Sequence, residues 1–118
     1  MVSQSLRKGG KASSPLSRLK KLIDVGWVWG SDVSIDVLDE VREIKNKYCK
    51  DLKSYYYSSK QGIYRSANLY KCKHPSLDKF YLMWSTEEYS DLGGRRVGFM
   101  LTRDLSRAKK VYNLFRAI

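Results

Sequence analysis

The chain is short of the residues on which most enzyme chemistry draws. It holds one histidine, two cysteines and two prolines in 118 residues. A single imidazole, His74, leaves no histidine pair for acid–base work. Since His74 precedes Pro75 in a loop, it reads as a surface side chain. Cys49 and Cys72 are too few for a disulfide framework, and with His74 they match no zinc spacing. A reduced protein of the cytoplasm or of the nucleoid or nucleus is the expectation. Gly93-Gly94 is a turn and Gly9-Gly10 lies in an N-terminal arm, so no glycine-rich phosphate loop is present. No catalytic residue, cofactor or metal is expected. Apolar runs are short as well: none approaches the roughly 18–20 residues of a membrane-spanning helix. The basic N-terminus is not followed by the apolar core of a secretory leader, so neither a leader nor a membrane partner is expected.

Acidic residues are the other shortage. Asp and Glu number 12 against 23 Lys and Arg, a formal net charge of +11. The excess is uneven. Residues 1–30 carry six basic and one acidic side chain, residues 31–60 six of each, and residues 61–118 eleven and five. Such a surface concentrates polyanions around itself and speeds encounter with them.

What is present is a folded chain with 42% hydrophobic and 13% aromatic residues. Residues 1–13, rich in Ser, Gly and Lys, read as a flexible basic arm carrying Arg7, Lys8 and Lys11. Residues 14–118 read as one domain. Ser14 and Pro15 are a cap and a first helical residue, with Leu16, Leu19, Leu22 and Ile23 on one face and Gly26 as terminator. Val33, Val37, Val41, Ile44, Tyr48 and Leu52 recur at three and four and predict a second helix over 33–52. The period then changes. Residues 54–73 are aromatic and β-forming around Gln61-Gly62, and the parity of 63–73 is open. "HPSLD" is a loop, "KFYLMWS" a strand apolar on both faces, and "RRVGFMLT" another strand. Glu87, Glu88 and Asp91 read as a solvated turn between them. A last helix, capped by Thr102 or Asp104, buries Leu105, Ala108, Val111, Tyr112, Phe115 and Ile118.

The order predicts an α+β fold: two N-terminal helices, a three- or four-stranded antiparallel sheet, and a C-terminal helix packed on one sheet face. The other face is then bare. With Val97, Phe99 and Leu101 turned to the helix, Arg96, Gly98 and Met100 look outward beside Tyr81 and Met83. The candidate binding set is Arg65, Lys71, Lys73, Tyr81, Arg95, Arg96, Arg103 and Lys109, together with the arm. Arginine and lysine hold phosphates, and tyrosine stacks on unpaired bases.

Tyr64-Arg65, Lys79-Phe80, and Arg96 to Phe99 followed by Thr102, Ala108 and Tyr112 carry a resemblance. Residues 63–118 resemble the DNA-binding domain of plant ethylene-response factors and related phage proteins. The resemblance implies a three-stranded sheet, backed by one helix, with its open face in the major groove. It carries base contact over to Arg65, Arg95 and Arg96 only. Ser66 stands where that family has glycine, and the third strand lacks its tryptophan. The element order also resembles ribosome-dependent mRNA-interferase toxins, which cleave RNA with Arg, Lys and Tyr, although those open with a strand. A non-enzymatic DNA- or RNA-binding protein is the leading expectation. A small inhibitor or adaptor on an acidic protein surface is the second, and a histidine-poor ribonuclease the third.

Overall fold

A computed structural model describes residues 14–90 and 93–116. Arg7, Lys8, Lys11, Asp91 and Ile118 lie outside the described residues. The elements are α1 (Pro15–Lys20), β1 (Val28–Trp29), a 3-10 turn (Gly30–Asp32), α2 (Ile35–Tyr48), β2 (Cys49–Ser58), β3 (Ile63–His74), β4 (Asp78–Tyr89), β5 (Gly94–Thr102) and α3 (Leu105–Arg116). The strands form one antiparallel five-stranded sheet in the order β1-β5-β4-β3-β2.

The α+β class, the antiparallel sheet and the C-terminal helix are as the sequence predicts; the strand count and the helix ends differ. Ser14 caps α1 through a bond from the Ser17 N–H, but α1 stops at Lys20. The chain then turns at Asp24 (φ 66°) before it reaches Gly26. The α2 helix stops at Tyr48, four residues before Leu52, because Cys49 is already extended and is bonded to Cys72. Leu52 sits at a bulge between Asp51 and Lys53 and is 45% exposed. Its helical spacing had nothing to pack against. The two cysteines expected to be reduced are thus joined.

A sheet presents alternate residues to its two faces, and here both faces are covered. On the first, Phe80, Leu82, Trp84, Phe99 and Leu101 meet Leu19 of α1 and Val37, Val41 and Ile44 of α2. On the second, Ala67, Leu69, Met83 and Met100 meet Ala108 and Tyr112 of α3. The expectation of a bare face is overturned over the middle of the sheet. Met100 is buried beneath α3, and Gly98 lies under Trp27, whose ring would stand 2.4 Å from any Cβ at that position. Tyr81 is half-buried in the same cluster. The physical reason lies in β4: a strand apolar on both faces needs a layer on each. The N-terminal helices supply one layer and α3 the other. The open face implied by the ethylene-response-factor resemblance is occupied over this stretch.

One latch ties the layers together. The Asp24 carboxylate accepts from the Thr102 hydroxyl (2.7 Å) and the Arg103 N–H (3.1 Å). Asp104, not Thr102, caps α3, accepting from the Ser106 and Arg107 N–H groups. The Thr102 bond, then the Arg103 N–H and the nearby Arg107 charge, hold the Asp24 carboxyl below its ordinary value of 3.8. A carboxyl lowered on folding stabilises the fold above its unfolded value and loses that contribution as pH falls through the folded one. Asp24→Asn should therefore lower the melting temperature at pH 7. The gap to the parent should close on acidification below 3.8 in melts followed by circular dichroism. An equal gap at every pH would assign the effect to geometry alone.

Candidate nucleic-acid interface

The hairpin registers decide which cations meet. Residues directly opposite in an antiparallel pair share a face. Lys50 opposes Lys71, Lys71 opposes Tyr81, and Lys73 opposes Lys79. These four lysines therefore stand on the α3 face, at the end of the sheet where the β3–β4 turn lies. All four are exposed. With Tyr48 they border a groove of about 320 Å³. The ion pairs among the described residues involve Arg18, Arg42, Lys47, Arg65 and Arg95, and none of these four lysines. Arg103 borders the patch and donates to the Lys79 carbonyl at 2.6 Å. Lys109 is exposed on α3.

The opposite end of the sheet holds the arginines. Arg65, Glu87 and Arg96 lie abreast on the α3 face of β3, β4 and β5. Arg65 Nε donates to Glu87 at 2.9 Å, with both side chains about nine-tenths buried (14% and 11% exposed). The Arg96 guanidinium lies 3.5 Å over the Trp29 ring. Arg95 points to the other face, 3.8 Å from Glu88. Glu87 and Glu88 are thus strand residues that neutralise arginines, not a solvated turn. His74 ends β3, with its ring against Tyr48 and its Nδ1 accepting from the Ser76 N–H.

The expected set therefore divides. Lys71, Lys73, Tyr81 and Arg103 come together at one end; Arg65, Arg95 and Arg96 lie at the other, on two faces, each against an acid or an indole. The sequence reading missed Lys50 and Lys79. Lys79 was within reach: folding "HPSLD" about Ser76 sets Lys79 opposite Lys73. Lys50 was hidden by its assignment to a helix.

Among the described residues no helix is long and apolar enough to cross a membrane, and no group of three or more His, Cys, Asp or Glu side chains is placed to hold a metal ion. In comparison with known proteins, no family model, no curated protein and no solved structure matches the chain.

Proposed function

We propose that the protein is a non-enzymatic nucleic-acid-binding protein whose phosphate contacts are Lys50, Lys71, Lys73 and Lys79, flanked by Arg103, with Lys109 on α3 as a further contact. One observation carries the reading: two like-charge pairs stand directly across strands, and among the described residues no acid is paired to any of the four. Like charges directly opposite destabilise a sheet, so folding alone does not account for them. A chain of phosphates relieves the repulsion, and lysine serves phosphate as a compact point charge. The net charge of +11 acts in the same direction at longer range.

Counterion release supplies the test. Neutralising about four phosphates gives a slope of log affinity on log salt between roughly −3 and −4, taking single strands and duplex DNA as limits. Between 50 and 200 mM salt the affinity should fall about 50- to 150-fold. Fluorescence anisotropy with a labelled oligonucleotide reads this directly, and a flat salt response would remove the reading. An acidic protein surface is drawn by the same charge. Partner capture that survives nuclease treatment, with no oligonucleotide binding, would transfer the patch to that class.

A further inference from the structure

Near their turn ends the hairpins β2–β3 and β4–β5 carry a shallow track on the α1/α2 face. Tyr56 and Tyr64 stand there 67% and 38% exposed, although tyrosine in a paired strand ordinarily packs its ring. Tyr56 opposes Ser66 and Tyr64 opposes Ser58, so the two tyrosines are diagonal neighbours on adjacent strands. Such positions lie about 7–8 Å apart at the backbone, within reach of one flat ligand for both rings. A groove of about 320 Å³ runs between them over Ser66 and Thr86. A second, of about 300 Å³, continues past Tyr64 and Glu88 to Gly94 and Arg95. Tyr64 and Glu88, directly opposite each other, border both.

We infer that this track takes an unpaired stretch of nucleic acid, with successive bases on the two sides of Tyr64 and Tyr56 as the outer wall. The inference rests on the nucleic-acid reading above and adds strandedness to it. Every base offers a π-face to an exposed tyrosine, whereas a duplex keeps its bases stacked on one another. The groove floor supplies hydroxyls: Ser66 and Thr86 share a hydrogen bond of 2.6 Å, leaving further donor and acceptor capacity for base edges. Glu88 supplies an acceptor for exocyclic amines. Lys60 at the β2–β3 turn supplies positive charge for the connecting phosphates, and Arg95, 63% exposed and 3.8 Å from Glu88, keeps that carboxylate from repelling them. Two exposed rings over a hydroxyl-lined floor suit a strand whose bases are out of their stack, and a peptide of acidic residues would leave the rings without partners.

The test compares one labelled 12-nucleotide single strand with the matching duplex by anisotropy at fixed salt, for the full chain. Tyr56→Ala/Tyr64→Ala should lose at least about tenfold in single-strand affinity and keep duplex affinity within about twofold, the loss expected when stacked bases are set free. Tyr56→Phe/Tyr64→Phe, which retains both rings, should restore single-strand binding. Equal losses on both nucleic acids, no loss on either, or failure of the phenylalanine pair to rescue would each overturn the track. The two readings fail differently. If the parent binds neither nucleic acid, the nucleic-acid reading falls and the track with it. If the parent binds through its lysines while the tyrosine variants are indistinguishable from it, the track alone falls.

Discussion

Reducing the Cys49–Cys72 bond should lower the melting temperature by about 10–15 °C, the largest stability change expected from any single bond in the chain. The two cysteines are 23 residues apart in sequence. Closing a loop of that size restricts the unfolded chain enough to stabilise the fold by about 3 kcal/mol, and for a domain of this length 1 kcal/mol shifts the midpoint by roughly 3–5 °C. The site raises the stakes. β2 is one of the two edge strands, exposed along most of its length, and α2 passes into it with no intervening loop. Beyond the disulfide the ladder continues through the like-charged Lys50–Lys71 pair and is then broken by the Asp51/Lys53 bulge. Without the bond, that end of the strand is held by pairing that its own charges oppose. Salt near 1 M should therefore recover part of the loss, since the screening length there is about 3 Å, shorter than the spacing of directly opposite side chains. Melts with and without a thiol reductant, and of Cys49→Ser/Cys72→Ser, check this; a midpoint unmoved by either would show that the ladder alone holds the strand.

That bond marks a limit on what the sequence discloses. Helical spacing ran smoothly from Val33 to Leu52, and nothing local stops the second helix at Tyr48. The stop comes from the bond of Cys49 to Cys72, 23 residues further on, and from pairing with β3. Local signals were legible where they were self-contained. The Ser14-Pro15 start and the Val37–Val41–Ile44 stripe appear as read, and the cap left open between Thr102 and Asp104 falls to Asp104. The Gln61-Gly62 turn also holds, with Gly62 at φ 82°. The faces of the sheet were half legible. Alternation correctly grouped Val97, Phe99 and Leu101 against Arg96, Gly98 and Met100, yet it cannot say which helix takes which set. Met83 and Met100 are as apolar as Leu82 and Leu101, and that balance was the sign of two covering layers. The site was least legible because it depends on register. Charge counts placed an excess in residues 61–118 but could not tell that Arg65 and Arg96 flank Glu87, while Lys73 stands opposite Lys79.

This contrast between neutralised arginines and unneutralised lysines gives the most discriminating variant. Lys71→Gln/Lys73→Gln/Lys79→Gln should bind nucleic acid at least about 100-fold more weakly at 0.1 M salt, since each released counterion contributes about five- to eightfold there. Its salt slope should flatten by about 2 to 3. Its stability should move the other way. Both cross-strand lysine pairs disappear, each costing about 0.2–1 kcal/mol in the parent, so the melting temperature should stay level or rise by a few degrees. Opposite signs for binding and stability distinguish a surface kept charged for a ligand from one that serves the fold. Arg65→Gln is the counterpart. It leaves Glu87 without its 2.9 Å partner in a site about nine-tenths buried, so it should destabilise the chain while the salt slope stays near that of the parent. Parent-like affinity in the lysine variant would separate the net charge from any specific surface. A loss of binding accompanied by a fall in melting temperature would mean that the lysines act through the fold, and the patch would no longer stand as a phosphate site.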